Sequence, residues 1–115
     1  MQKFLVLYLA PVAVLEQWME KSPEERKKEE DRMKTEWDAW MKAHSSALEE
    51  TARAGKTKRV TKDGVTDTKN DIMLFSIVEA ESHEAAAKIF EGHPHLGIPE
   101  ASIEIMLASN LSDME

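Results

Sequence analysis

Apolar residues alternate at the start of the chain, with Phe4, Val6 and Tyr8 on one face of an extended segment and Leu5, Leu7 and Leu9 on the other. The spacing predicts a strand over Lys3–Leu9 that is apolar on both sides. Pro11 closes it, and Val12, Leu15, Trp18 and Met19 then recur at helical spacing up to about Lys21. Ser22-Pro23-Glu24-Glu25 supplies a capping serine, a proline at the first helical position and a glutamate three residues after the cap, so a longer helix starts there. Its first turns, Glu24 to Arg32, are charged and read as a solvated extension laced by pairs at i, i+3 and i, i+4. Beyond them Met33, Trp37, Trp40, Met41, His44, Leu48 and Ala52 form one stripe, and the pattern predicts helix as far as Gly55.

From Lys56 to Thr68 the pattern is β-like and polar, and Asp63-Gly64 between Val60 and Val65 predicts a hairpin with a two-residue turn. Ile72–Ala80 reads as a strand, with Ile72, Leu74, Ser76 and Val78 on one face and Met73, Phe75, Ile77 and Glu79 on the other. Ser82 caps a helix that turns Ala85, Ala86, Ile89 and Phe90 inward and stops at Gly92. Ser102–Leu107 reads as the last strand. The order β-α-β-β-α-β, with the hairpin as second strand, is that of an α+β, ferredoxin-like sandwich with an antiparallel sheet. Its two helices cover one sheet face only. The other face, apolar on strands one and three, must be buried by a second copy, which predicts a homodimer with facing sheets, a dimeric α/β barrel. A single domain over 1–108 and a flexible tail over 109–115 complete this reading.

Composition narrows the function. At 115 residues the chain is one domain; 42% hydrophobic and 32% charged residues suit a folded protein rather than a disordered one. A net charge of −7 repels phosphate backbones and anionic lipid, so neither nucleic acid nor membrane is an expected partner. The basic group Lys56, Lys58, Arg59 and Lys62 lacks interleaved aromatics and reads as a solvated hairpin. The absence of cysteine removes disulfides, thiolate catalysis and cysteine-bound metal, and fits a cytoplasmic setting. Phe4 to Leu15 imitates a signal-peptide core, but Pro11, strand-like alternation and the lack of a small-x-small site argue against one.

Glu79-Ala80-Glu81-Ser82-His83-Glu84-Ala85-Ala86, Gly92-His93-Pro94-His95-Leu96 and Ser102-Ile103-Glu104-Ile105-Met106 resemble the C-terminal half of the YCII-related family of the dimeric α/β-barrel superfamily. The Trp37-Asp38-Ala39-Trp40-Met41 segment is similar to one branch of it. The resemblance spans roughly residues 33 to 107. It implies the dimeric barrel and, for some members, small enzymes that use a histidine-aspartate pair in a cleft beside the sheet. His44 is the positional match for that histidine. Lys56, Thr57 and Lys58 stand where the acidic partner is expected, and Asp63 belongs to the turn.

His44, alone among apolar neighbours on its helix stripe, is the candidate general acid and base, since an imidazole titrates near working pH. The structural alternative is a packed ring bonded to a backbone carbonyl. Glu104, mid-strand, is the candidate carboxylate partner, or else an edge-strand residue in water. His93 and His95 flank Pro94 and are candidates for the pocket rim, with Tyr8, Trp40 and Phe75 as aromatic lining or plain core. Two histidines at i, i+2 fix no third ligand, so no metal site is expected. No phosphate loop or nucleophile elbow is present, and no cofactor is expected. These residues suit a small enzyme, lyase, isomerase or hydrolase-like, performing acid/base chemistry on a small, partly apolar organic molecule. They equally suit a non-catalytic small-molecule binding or sensing module. A subunit that offers its charged 24–32 extension to a partner is the third reading.

Overall fold

In the computed structural model, which describes residues 1–110, six strands and three helices run in the order β1 (Gln2–Leu9), α1 (Val12–Met19), α2 (Pro23–Ala43), β2 (Leu48–Arg53), β3 (Thr57–Thr61), β4 (Gly64–Thr68), β5 (Ile72–Ala80), α3 (His83–Ile89) and β6 (Ser102–Ala108). A 3₁₀ turn, Pro94–Gly97, precedes β6. The expected tail overlaps residues 111–115, which lie outside the described residues. The main sheet is antiparallel with strand order β2-β5-β1-β6, the ferredoxin-like arrangement.

Two expectations are corrected. The long helix ends at Ala43 rather than near Gly55, with His44 at its C-cap, and Leu48 and Ala52 belong to β2. Leu48-Glu49-Glu50-Thr51-Ala52-Arg53 continues the helical period by sequence, yet β5 has an edge that β1 does not occupy. Pairing β2 there, Thr51 opposite Ser76 and Ala52 opposite Phe75, satisfies backbone groups that helix would leave open. Consequently the hairpin is not the sheet's second strand. β3 and β4 pair only with each other, as a separate ribbon. Its register, Val60 opposite Val65 and Thr61 opposite Gly64, moves the two-residue turn to Lys62-Asp63, with Gly64 taking the positive φ of 128°.

The starting caps form as the sequence requires. Ser22 Oγ accepts the Glu25 N–H at 3.2 Å and Ser82 Oγ accepts that of Ala85 at 3.1 Å. Gly92, at φ 71°, turns the chain out of the last helical turn. The core lies between the helices and one sheet face: Phe4, Val6, Tyr8, Val78, Ala80, Ala86 and Phe90, with Trp37, Trp40, Leu48, Ile103 and Ile105 packed against it. Helix α2 contributes no fully buried residue over its 21 positions and rests on this core through its tryptophans. The other sheet face carries Leu5, Leu7, Phe75 and Ile77, half-buried, and exposed Met106.

Candidate functional site

The chemistry-bearing side chains collect where the end of β1, the C-terminal half of α2 and the 3₁₀ turn meet. Alternation along β1 sends Tyr8 into the core, and α2 lays Trp37 beside it at a ring separation of 5.2 Å. Pro94 locks the 3₁₀ turn, which folds His93 and His95 inward; both are almost wholly buried, at 2% and 1% exposure. The His93 ring then sits 4.4 Å from Trp37, 4.3 Å from Trp40 and 5.3 Å from Tyr8. Phe90 closes the cage at 5.2 Å from Trp40. His44 stacks on the outer face of this group, 4.5 Å from Trp40 at an interplanar angle of 30°.

Hydrogen bonds fix which nitrogen carries each proton. His93 Nδ1 accepts the His95 backbone N–H at 2.9 Å, so the neutral ring has its proton on Nε2. Among the described residues neither that N–H nor the buried Trp40 Nε1–H has an acceptor. His95 Nε2 donates to the Leu9 carbonyl at 2.9 Å. His44 Nδ1 donates to the Trp40 carbonyl at 2.9 Å, which leaves its Nε2 lone pair bare on a half-buried ring. The fourth histidine, His83, is spent on the Ile105 carbonyl at 2.7 Å, tying α3 to β6.

Burial sets the charge state of the cage. Desolvation, helped by the positive potentials of His95 and His44, holds His93 down at a pKa of about 4. Desolvation also lowers His95, against the opposing pull of backbone bonds to Leu9 and Ser102. Both rings are therefore neutral near pH 7 and offer hydrogen bonds rather than charge. Tyr8 is raised by desolvation, which outweighs its bond to Ser76.

A row of hydroxyls leaves the cage beneath it. Tyr8 Oη lies 2.8 Å from Ser76 Oγ, and Ser76 Oγ lies 2.8 Å from Thr51 Oγ1. Rings surround Tyr8 elsewhere, so the arrangement that satisfies every buried donor is Tyr8 to Ser76 to Thr51. That order leaves the Thr51 O–H as the free end of the row, and Thr51 also lines a cleft of about 210 Å³ together with Met41, Ser45, Leu48, Glu49 and Glu50.

The structure thus brings together His44, Trp40, His93, His95 and Tyr8 from the set that sequence singles out. It does not bring in Phe75 or Glu104. Each lies opposite Leu7 in the sheet register, so both project from the far face, away from Tyr8 and the histidines. A His44–Glu104 pair within one chain is ruled out by that geometry. Trp37, Phe90, Ser76 and Thr51 are the site residues that sequence reasoning passed over. A serine in the otherwise apolar inward face of β5 was the available signal. Among the described residues no group of three or more histidines, aspartates or glutamates is arranged to hold a metal ion.

No family model matches the chain, and no curated protein matches it. Among solved structures it is similar to the 5-chloro-2-hydroxyhydroquinone dehydrochlorinase from Burkholderia phenoliruptrix AC1100, in complex with 2,5-dihydroxybenzoquinone. That likeness has 14% identity and a TM-score of 0.50 and covers 90% of this chain and 91% of that one. At this identity the likeness establishes the ferredoxin-like fold.

Proposed function

We propose that this chain is a small homodimeric enzyme of the YCII-related kind, transferring protons on a small, oxygen-bearing and partly apolar ring compound. The observation that carries the reading is the juxtaposition around Trp40. His44, stacked on Trp40, has its Nε2 lone pair held bare, and the Trp40 and His93 rings, 4.3 Å apart, carry two buried N–H groups with no acceptor among the described residues. A carbonyl or hydroxyl oxygen received by Trp40 Nε1–H and His93 Nε2–H would complete the hydrogen bonding that burial demands. Because His93 is neutral, it polarises such an oxygen without protonating it. His44 Nε2 then removes or returns the substrate proton, its ring oriented by the Trp40 carbonyl in place of a carboxylate. The ligand of the dehydrochlorinase, 2,5-dihydroxybenzoquinone, belongs to this chemical class.

The dimer is inferred from the sheet. Leu5, Leu7, Phe75, Ile77 and Met106 form an apolar face that no helix covers among the described residues, and a facing copy buries it. Among the described residues no helix is long and apolar enough to cross a membrane.

The test is deuterium exchange into 2,5-dihydroxybenzoquinone in D2O, followed by NMR. We expect acceleration by about 10²- to 10⁴-fold, lost in His44→Ala. A second reading, ligand binding without turnover, is favoured by the neutral backbone carbonyl of Trp40 that occupies His44 Nδ1. It would show as thermal stabilisation by this ligand with no exchange. Neither stabilisation nor exchange would refute both readings for this compound class.

A further inference from the structure

The β3–β4 ribbon is the least supported element of the chain and the most oddly charged. Its strands pair only with each other, and a two-stranded hairpin is at best marginally stable in water. Yet its tip presents an apolar cross-strand pair, Val60 opposite Val65, at 75% and 61% exposure. Alternation puts Lys58 on the same side as Val60, and Lys62 follows in the two-residue turn at the tip itself. Lys58 is neutralised by Asp67 at 2.7 Å, whereas Lys62 has no ion-pair partner among the described residues. From Lys56 to Lys69 basic residues outnumber acidic ones, in a chain whose net charge is −7.

The opposite character occurs at the ribbon's own base. A cleft of about 210 Å³ opens there, lined by Leu9, Ala10 and Pro11 together with Ser102 and three carboxylates, Asp71, Glu100 and Glu104. Asp71 stands three residues after the ribbon ends at Thr68. A ribbon cannot fold back onto its own base. A two-fold axis perpendicular to the ribbon and passing beside it would lay two ribbons antiparallel, the tip of each against the base of the other. Strands of five residues span about 17 Å, enough to carry the tip clear of its own sheet.

We propose that the β3–β4 ribbon is a clasp whose Val60–Val65 tip seats in the acidic cleft of a second copy, with Lys62 against the Glu100 carboxylate. The occupant of the cleft is a second copy of this chain. The proposal rests on the homodimer inferred above and adds a reciprocal arm exchange to it. The clasp continues the open sheet face, because Glu104 belongs to both surfaces.

Sedimentation equilibrium on the full chain tests it. Wild type is expected to be a dimer. Val60→Asp is expected to weaken it at least about tenfold, since the buried tip counts twice across the axis. Lys62→Glu and Glu100→Lys each weaken it several-fold, by about fivefold as two surface pairs are lost, and the double variant returns to near the wild-type value. Circular dichroism melts should be unchanged in the monomeric range, because the ribbon packs against little of its own chain. A dimer indifferent to all four variants would overturn the clasp and leave the homodimer standing. A wild-type monomer at every concentration would overturn both.

Discussion

Replacing His93 by asparagine should flatten the acid side of the stability profile. Asparagine is among the preferred residues where a turn begins, and its side-chain oxygen takes over as acceptor for the His95 N–H, but it does not titrate. In the wild type the folded pKa of about 4 lies below the value of about 6.5 expected of an unfolded histidine. The unfolded chain therefore binds a proton first as pH falls. Stability is complete above about pH 7 and declines through the window from about 6.5 to 4. From those two values the loss is about 2 kcal/mol at pH 5 and about 3 kcal/mol at pH 4, relative to neutral pH. The smaller asparagine also leaves a void, so the variant starts lower at neutral pH, by about 1–3 kcal/mol. The slope, not the starting point, is the readout. Urea denaturation at half-unit intervals from pH 7.5 to 4.5 gives both curves. The difference between wild type and His93→Asn should shrink by about 2 kcal/mol on going to pH 5. Parallel curves would refute the claim that a buried neutral His93 governs this region.

The hydroxyl row yields an asymmetry that is checked by the same denaturation assay. Ser76→Ala strands the Tyr8 O–H among rings and should cost about 1–3 kcal/mol, whereas Tyr8→Phe removes the donor together with its need and should cost about 1 kcal/mol. Ser22→Ala deletes the acceptor for the Glu25 N–H and should lower stability by about 1 kcal/mol, with a matching loss of helical signal by circular dichroism.

Strands β1, β5 and β6 and helix α3 were legible because each carries its signal locally, as alternation in Phe4 to Leu9, as the Ser82 cap, as the Gly92 stop. Strand β2 was not. Its residues favour helix about as well as strand, and the deciding influence is the unoccupied edge of β5, which no local window contains. That one error propagated, since a helix running to Gly55 forces the hairpin into the sheet. The same contrast holds at the site. Pro94 marks a turn, but sequence puts His93 and His95 at a pocket rim, whereas they are buried, because their packing against Trp37, Trp40 and Tyr8 joins segments more than fifty residues apart. Phe75 and Glu104 show the converse: a residue type suited to chemistry says nothing until strand register decides which side of the sheet it serves.

Tyr8 is the single tyrosine of the chain, and its phenol is sealed in the core with its proton committed to Ser76. Ultraviolet absorbance of tyrosinate in alkali therefore reports on one atom at one place. The unfolded chain ionises near pH 10, while the folded chain resists above it because burial disfavours the phenolate. A pH jump in a stopped-flow absorbance cell thus times the opening of the core directly, with no label attached and no residue changed.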